Sequence, residues 1–398
     1  MSRIWTEGFM QVLEDIIIIG GGIIGTSIAY FLQSSDNFDG SVLVIETEAV
    51  SQGSSWGGFH QQFSIPENIQ MAQFAQEFLG ELNRFLSVED KIVNVDYHSN
   101  EYLFLVENQD IPMLYSTNIL HHQHGISVGL LDPEDLSQGF PWLNITDLAG
   151  GSLGLSREGG LNAERLRKAF RQKAISLGVR FQNGELIDIA KNNDLANAIT
   201  LSTGQSIYFK TLVNAAGADS SRIASLAGIN LPMESRKRQI FSFSCRMLLE
   251  KSPIVVDPTG VHFRHDGNLF YAGCVPPKDK DPNCSDTKID YDLFEEYIWP
   301  ILSYRVPAFQ KITMEKARSE HYTYNVLDQS PVLGPHPEIN NFYFANGFMG
   351  RSAQASPAIG RAIAELIIFG EYRSLNLSRF SFERMVTGEA LFEHNALQ

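Results

Sequence analysis

The chain has 398 residues, a formal net charge of −15 at pH 7 and a sequence pI near 5.1. Because an acidic surface repels nucleic acid and anionic membranes at long range, we expect neither as a partner. Hydrophobic residues make up 43% of the chain, and this content and length predict two domains that share one ligand. The three cysteines, Cys245, Cys274 and Cys284, lack metal-ligand spacing, so we predict unpaired thiols and no metal site.

The first predicted elements are a strand, a glycine turn and a helix. In "EDIIIIGGGIIGTSIAYFLQ", Ile16–Ile19 form a short β-branched run typical of a buried strand. A membrane-spanning helix is a poor alternative, because adjacent glycines each cost about 1 kcal/mol of helix stability relative to alanine. The residues "GGGIIG" instead fit GxGxxG, a dinucleotide-binding pattern. In this pattern Gly20 allows the tight turn, Gly22 the close approach of a pyrophosphate, and Gly25 close packing of helix on strand.

An acidic residue follows at the spacing that this pattern requires. The predicted strand "SVLVIETE" reaches Glu46, whose carboxylate can accept hydrogen bonds from an adenosine ribose. The helix between the two strands points its first amides, including those of Ile23 and Ile24, at the phosphates. A βαβ unit that binds nothing explains this ordered set of features less well.

The rest of the chain predicts sections of two domains in alternation. A glycine and serine loop leads into an amphipathic helix with an apolar stripe from Met71 to Phe85, and a strand-rich section follows from about Asp96 to Leu153. A helix is predicted from about Ala163 to Gly178, then strands, then the buried strand and turn of "KTLVNAAGAD". A second strand-rich section, from Leu231 to about Arg318, contains an aromatic helix near Tyr291 to Trp299. The final elements are the strand "FYFANGF", a glycine turn and the helix "PAIGRAIAELIIF".

Two shorter segments bear on metal binding and localisation. The run "HHQH", His121–His124, has no nearby cysteine or carboxylate, so we predict a solvated loop. The segment before the first strand has neither a signal-peptide core nor the character of a mitochondrial presequence, so we expect a cytoplasmic protein without a transmembrane segment.

These blocks, in this order, resemble the D-amino acid oxidase, glycine oxidase and sarcosine oxidase superfamily of FAD enzymes from Asp15 to about Phe369. The resemblance implies an α/β (α+β) fold, with a Rossmann-like FAD-binding domain and a second, mainly antiparallel β-sheet substrate domain. Segments such as "GGFHQQFSIPENIQ" and "DQSPVLGPHP" resemble a mitochondrial branch of this superfamily that is linked to respiratory complex I assembly. The implied division is a discontinuous FAD-binding domain of residues 14–90, 150–228 and 322–385, and a substrate domain of residues 91–149 and 229–321.

The resemblance also implies that FAD binds with its flavin ring at the junction of the two domains. Reduction of the flavin places negative charge near N1 and C2=O, which main-chain amides or a helix N-terminus stabilise. The positions that match the family's cofactor contacts are Gly20, Gly22, Ile23, Ile24 and Gly25 at the pyrophosphate, Glu46 at the ribose, Ser54, Ser55 and Gly58 in the next loop, Leu186 at the adenine, Ala216 and Gly217 at a second nucleotide contact, and Gly347, Gly350, Arg351, Ser352, Ala353 and Gln354 at the pyrimidine edge.

Several functional positions of sarcosine-type oxidases hold different residues here. The arginine over the flavin corresponds to His60, and the two residues that clamp the substrate carboxylate correspond to Phe63 and Gln354. The lysine credited with oxygen activation aligns near Phe270. The cysteine that carries covalent flavin in some members falls near Glu320 or His321, so we expect no covalent attachment at that point.

The candidate catalytic residues are His60, Arg351 and Arg264. His60 lies in the loop that approaches the flavin, with a neutral imidazole fixed by backbone hydrogen bonds as the alternative. Arg351 lies in the final glycine turn, where it either faces the substrate cavity as an anion or polar-group anchor or forms a surface or interdomain ion pair. Arg264 supplies a further positive charge in "VHFRHDG".

The leading functional hypothesis is an FAD-dependent oxidoreductase of the amine or amino acid oxidase or dehydrogenase type. It oxidises the C–N bond of a small-molecule amine or amino acid-like substrate by hydride transfer to flavin N5, and oxygen or another redox partner accepts the electrons. The alternative is a flavin-loaded binding or assembly factor with little catalytic activity. A plain NAD(P)-dependent dehydrogenase is a weaker third hypothesis, because it predicts one contiguous nucleotide domain without the C-terminal "FANGFMG" block.

Overall fold

The computed structural model describes residues 3–6, 9–47, 56–155, 157–247, 249 and 252–394. The strands are β1 (Arg3–Thr6), β2 (Phe9–Ile19), β3 (Val42–Glu46), β4 (Trp56–Phe59), β5 (His98–Ser99), β6 (Tyr102–Val106), β7 (Val128–Leu131), β8 (Gly150–Gly154), β9 (Gly159–Asn162), β10 (Arg180–Asn183), β11 (Leu186–Asn192), β12 (Leu195–Leu201), β13 (Ser206–Asn214), β14 (Met233–Cys245), β15 (Ile254–Val256), β16 (His262–Asp266), β17 (Leu269–Gly273), β18 (Ile312–Asn325), β19 (Val332–Pro335) and β20 (Phe342–Asn346). The α-helices are α1 (Ile23–Gln33), α2 (Pro66–Gly80), α3 (Leu82–Leu86), α4 (Ile111–Gln123), α5 (Pro133–Gly139), α6 (Ala163–Ser176), α7 (Ser220–Leu226), α8 (Trp299–Arg305), α9 (Ser352–Phe369) and α10 (Glu383–Thr387).

The first sheet has nine strands and a parallel centre. Strands β10, β3, β2, β13 and β20 lie side by side in parallel. Four antiparallel pairs extend the sheet, namely β1 with β2, β12 with β13, β11 with β12, and β19 with β20. The predicted run Ile16–Ile19 is the end of β2, and its four side chains are buried. A parallel strand covered by helices on both faces is apolar throughout, which explains the unbroken isoleucine run. Helices α1, α6 and α9 pack on one another beside this sheet.

The second sheet has eight strands in the order β18-β14-β17-β16-β15-β6-β8-β7, and its pairs are antiparallel except β15 with β6. One face, with Phe243 and Phe270, carries an apolar core that α8 and the preceding π-helix Leu293–Ile298 cover. The other face carries Tyr102 and Phe104, against which the ring of His60 packs. We call it the site face. A sheet with a parallel centre and a second, mainly antiparallel sheet confirm the predicted fold class.

The predicted domain borders stay a prediction, and two strands differ from them in the sheet they join or the range they span. Strand β8 pairs with β6 and β7 in the second sheet, whereas the predicted division gives residues 150–228 to the FAD-binding domain. Strand β18 runs across the predicted border between residues 321 and 322. Strands β4, β9 and β5 form a third, three-stranded sheet in that order.

The last long helix begins at Ser352, five residues before the predicted start at Pro357. Proline is common at helix starts, but here it lies inside the helix, where its missing N–H leaves the carbonyl of Ala353 without its usual donor. The hydroxyl of Ser356 donates to that carbonyl at 3.0 Å instead, so the helix continues through the proline. The predicted aromatic helix near residues 291–299 is likewise a π-helix followed by α8.

The prediction of a solvated loop for His121–His124 is wrong. Residues 121–123 end helix α4, and the side chain of His121 is buried with Nε2 3.0 Å from the carbonyl oxygen of Phe63. The burial comes from a segment 58 residues away in sequence, which local pattern cannot reveal. Among the residues that the structure describes, no group of three or more histidine, cysteine or acidic side chains is arranged to hold a metal ion. Every helix within these ranges is too short or too polar to span a bilayer.

Helix α1 crosses α9 at a contact that only glycine permits. A Cβ at Gly360 would overlap Oγ of Ser27 and lie 2.8 Å from the Ser27 carbonyl carbon. At the same crossing, the Ser27 hydroxyl donates to the carbonyl of Ser356 at 2.7 Å. The two helices therefore approach each other closely and fix each other's position.

We predict that Gly360→Ala destabilises the protein by about 1–3 kcal/mol, because the added methyl group overpacks the helix crossing. In a helix with open surroundings the same change is favourable by up to about 1 kcal/mol. Gly80, near the end of α2, has no atom within 4 Å of an added Cβ and is the matched control. Thermal unfolding at fixed FAD concentration tests both variants. Equal melting temperatures for the two would contradict this account of the crossing.

Candidate cofactor and substrate site

The turn between β2 and α1 contains two glycines that close packing requires and a third, Gly22, that lies beside open space. Gly20 has φ +115°, and a Cβ there would lie 2.7 Å from the carbonyl carbon of Ala215. A Cβ at Gly25 would overlap the carbonyl oxygen of Gly20. Gly22 is different, because it has φ −68° and no atom within 4 Å of an added Cβ. Gly20 and Gly25 thus shape the turn, and Gly22 borders the space that a pyrophosphate needs.

The start of α1 offers hydrogen-bond donors to this space. Gly22 is the N-cap and has no side-chain cap, and the first turn contains Ile23 and Ile24 and no acidic residue. The amides of a first helical turn have no partner within the helix. They are oriented toward the open space beside Gly22, as anion binding at a helix N-terminus requires.

Glu46 lies beside the same turn. Its side chain is buried, its Oε1 is 2.7 Å from Nη1 of Arg171, and a Cβ at Gly21 would overlap its other oxygen. A ribose bound here would share the carboxylate with Arg171. Ser54 and Ser55, the predicted residues of the next loop, lie outside the described residues.

The predicted adenine contact and the predicted second nucleotide contact lie on β11 and after β13. Ala216 and Gly217 follow β13, and Ala215 before them contacts Gly20. Leu186 starts β11 and is buried, and its carbonyl oxygen accepts a hydrogen bond of 2.8 Å from Nη1 of Arg222.

The final glycine turn precedes helix α9 and presents a second set of free amides. Gly347 and Gly350 have φ +89° and +81°, and a Cβ at Gly350 would overlap the ring of Tyr322 on the site face. Arg351 is the N-cap of α9. The amides of Ser352, Ala353 and Gln354 therefore lie in a first turn without intrahelical partners and can stabilise developing negative charge.

Asn346, immediately before this turn, was missed by the sequence reasoning. Its side chain is buried, and neither Nδ2 nor Oδ1 has a hydrogen-bond partner among the described residues. Buried amides without partners are rare in folded proteins, so this one marks a place for a ligand atom. The signal that could have identified it is a polar residue at the carboxyl end of a parallel strand. The open space at Gly22, the two sets of free amides and this side chain together fit a dinucleotide such as FAD.

His60 follows β4 and is buried in an aromatic cage. Its ring lies 4.3 Å from the ring of Phe63, 5.1 Å from that of Tyr102 and 5.3 Å from that of Phe104, measured between centroids. Burial, followed by the charge of Arg351, lowers the pKa of His60 to about 3. The imidazole is therefore neutral at physiological pH. Its ring Nδ1 is buried without a hydrogen-bond partner in the described part of the chain.

Gln354 is tied to the main chain of His60. Its Nε2 donates to the carbonyl oxygen of His60, and its Oε1 accepts from the His60 amide at 3.5 Å. A side chain held in this way cannot replace the lysine that clamps a substrate carboxylate in sarcosine-type oxidases.

Arg351 also lies near Phe63, with its guanidinium carbon 5.6 Å from the ring centroid. Its Nη1 is buried and has no hydrogen-bond partner among the described residues, and none of their ion pairs includes Arg351. Burial lowers the pKa of Arg351, and the negative charge of Glu393 opposes that effect. The guanidinium borders a cavity of about 320 Å³. The cavity is lined by Phe63, Asn68, Met71, Ala72, Pro331, Phe348, Arg351, Gln354 and Ala355.

Arg264 lies at a different cavity from Arg351. Its guanidinium stacks on Trp56 at 3.9 Å and on Tyr271 at 4.2 Å, and its Nη1 is 2.9 Å from Asp266. The cavity beside it has a volume of about 460 Å³ and shares no lining residue with the first. The structure brings His60 and Arg351 together through Phe63, whereas Arg264 stands apart. The catalytic roles of these three residues remain predictions.

Phe270, near which we align the oxygen-activating lysine of sarcosine-type oxidases, faces the core. It is buried on the covered face of the second sheet, stacked on Phe243 with ring centroids 5.5 Å apart. The next residue, Tyr271, points to the site face, because successive side chains of a strand alternate. Neither residue carries a positive charge, and the role of this position stays a prediction.

Glu158 is a second residue that the sequence reasoning missed. It precedes β9, is buried, and accepts hydrogen bonds from the amides of Gln61 and Tyr102 on either side of the histidine cage. A single acidic residue before two glycines gives no local signal of this role. Only its burial beside the cage reveals it.

Comparisons with known proteins identify the family and the fold. Residues 15–366 match the protein family DAO, described as FAD dependent oxidoreductase. FAD-dependent oxidoreductase domain-containing protein 1 of Xenopus laevis is 37% identical over 421 aligned residues, which cover 96% of this chain and 84% of that protein. L-proline dehydrogenase from P. horikoshii has a similar fold, with a TM-score of 0.83, 22% identity, and coverage of 96% and 100% of the two chains. Glycine oxidase from Geobacillus kaustophilus gives a TM-score of 0.77 at 20% identity, with coverage of 93% and 98%.

We predict that Gly22→Val yields a folded but colourless protein. The backbone at Gly22 suits any residue and its surroundings are open, so the valine fills the space predicted for the pyrophosphate without disturbing the fold. Gly25→Val, in contrast, should fail to fold, because its Cβ overlaps main chain. Flavin absorbance and circular dichroism of the purified variants measure occupancy and folding. Full flavin occupancy in Gly22→Val would contradict the pyrophosphate assignment.

Proposed function

Because the chain belongs to the DAO family of FAD-dependent oxidoreductases, we propose that it oxidises the C–N bond of an amine or amino acid derivative that carries an anionic group. FAD is the cofactor of this family. The observation that carries the proposal is the buried Nη1 of Arg351, which has no partner in the described residues and borders an otherwise mainly apolar cavity. A buried guanidinium without a carboxylate is costly, so a bound anion would stabilise it.

When bound, FAD would supply the acceptor for a hydride from the carbon next to nitrogen, and water would hydrolyse the imine product. The chain's own part is to bind and orient the substrate. We propose that the turn around Gly22 would hold the pyrophosphate and that the first turn of α9 would hold the pyrimidine edge, where its free amides can stabilise negative charge. The cage of His60, Tyr102 and Phe104 would form a wall beside the ring.

The charge state of His60 suits this reaction. Hydride leaves most readily from an amine whose nitrogen is neutral, because a protonated nitrogen has no lone pair to assist the departure. His60 is neutral because burial lowers its pKa, so it adds no positive charge beside the substrate. We propose that His60 provides an uncharged wall and that Arg351 alone supplies positive charge at the substrate's anionic end.

The cavity residues limit the kind of anion that fits. Met71, Ala72 and Phe348 give an apolar wall, and Asn68 adds one polar group. An acidic group at one end of an aliphatic chain matches this lining better than a densely charged ion. The names of two structural neighbours, L-proline dehydrogenase and glycine oxidase, are those of enzymes of amino acids and thus support a substrate of this class.

We predict that Arg351→Met weakens binding of acid-bearing amines ten- to a hundredfold, since a buried charge-assisted hydrogen bond contributes about 1.5–3 kcal/mol. The test is anaerobic bleaching of the flavin absorbance by amines supplied as matched pairs, with a free carboxylate and with the corresponding methyl ester. The variant should lose the preference for the free acid. Arg361→Met is the control, because Arg361 lies on α9 away from the cavity, where its half-exposed side chain pairs with Glu365 and lies over the ring of Phe74.

Two results would contradict the proposal. If the native protein bleaches equally with acids and esters, Arg351 does not select an anion. If no amine of either kind bleaches the flavin, C–N oxidation is wrong, and a stable partner in pull-down experiments would then favour a role in binding or assembly.

A further inference from the structure

Glu158 is a buried carboxylate that joins three separate segments of the chain. Its Oε1 accepts the amide N–H of Gln61 at 3.0 Å, and its Oε2 accepts that of Tyr102 at 2.9 Å. Nε2 of Gln62 lies 3.1 Å from Oε2. The main-chain carbonyl of Glu158 also accepts from the amide of Asn100 at 3.0 Å. The residue therefore links the segment after β4, the start of β6 and the start of β9.

These contacts hold the histidine cage in place. Gln61 and Gln62 follow His60 directly, and Tyr102 is one of the rings that contact the imidazole. The amide group of Gln62 is fixed at both ends, because its Nε2 also donates to the carbonyl of Tyr102 at 3.0 Å and its Oε1 accepts from Ser152. The position of the His60 ring thus depends on main chain that Glu158 anchors on both sides.

No cation offsets the charge of Glu158 within the described residues. It takes part in none of their ion pairs, and its carboxylate is surrounded by neutral N–H donors. The titratable groups that face it are Glu101, Tyr97 and Tyr102, none of which is positive at neutral pH. A buried carboxylate that only dipoles stabilise is sensitive to proton binding.

We propose that Glu158 is a positioning residue that, when ionised, holds the His60–Gln62 segment and Tyr102 against the flavin, and that releases them in part when it binds a proton. The inference rests on the proposed function only in placing the flavin beside His60. A protonated carboxyl group needs an acceptor for its O–H and gives up one of its three donors. The segment 60–62 then loses an anchor.

The transition falls in the neutral range. Burial raises the pKa of Glu158 to about 7, while the hydrogen bonds from Gln61, Tyr102 and Gln62 oppose that effect. The ionised form, which fits the observed contacts, therefore predominates above pH 7 and the protonated form below it. We expect the surroundings of the flavin to change with a single proton in this range.

The test is a pH titration of the visible absorbance of the FAD-loaded protein, without substrate, from about pH 5.5 to 8.5. The native chain should show a one-proton spectral change with a midpoint near 7, and Glu158→Gln should show none. Glu101→Gln is the control, because Glu101 is exposed and acts on Glu158 only by its charge. This variant should keep the transition with a slightly lower midpoint.

A second variant keeps the proposal testable if Glu158→Gln does not fold. Gln62→Met removes one donor to the carboxylate with little change in shape, so the midpoint should rise by about one pH unit. A native titration without a transition, a transition that survives in Glu158→Gln, or an unmoved midpoint in Gln62→Met would each overturn the proposal. Because no substrate is used, a failed amine panel with an intact transition would refute the proposed oxidation and leave this inference standing.

Discussion

The close approach of α1 to its neighbours is the constraint on which the site depends. At Gly25 it lets the helix start directly over the turn, and at Gly360 it lets α9 cross α1 in contact with Ser27. Both helices begin at the site, so the same packing fixes the two sets of free amides that can hold the two ends of a flavin dinucleotide. A wider crossing would move one helix start relative to the other.

The charged and titratable groups around the histidine cage each have a distinct protonation state and set of partners. His60 is neutral, because burial and the nearby Arg351 lower its pKa to about 3. Arg351 is charged without a direct carboxylate partner among the described residues. When Glu158 is ionised, only N–H donors surround its carboxylate. In a site of low dielectric such unpaired groups are costly in the free protein and sensitive to what binds. We infer that Arg351 binds the substrate, whereas Glu158 positions the His60 segment beside it.

Local sequence pattern predicted the parts of this arrangement that depend on neighbours along the chain. The glycine turn, the strand ending at Glu46 and the helix starting at Ala163 follow from glycine geometry and apolar periodicity. The failures are long-range. His121 is buried by a segment 58 residues away, and Glu158 binds an amide 97 residues away.

The central claim is that the flavin pyrimidine edge lies at the first turn of α9, with the pyrophosphate over Gly22. A crystal structure of the FAD-loaded protein measures this directly through the distance from flavin O2 to the amide nitrogens of Ser352, Ala353 and Gln354. The account predicts at least one hydrogen bond of about 2.7–3.2 Å there. A flavin whose pyrimidine edge points away from α9, or whose pyrophosphate avoids Gly22, would contradict it.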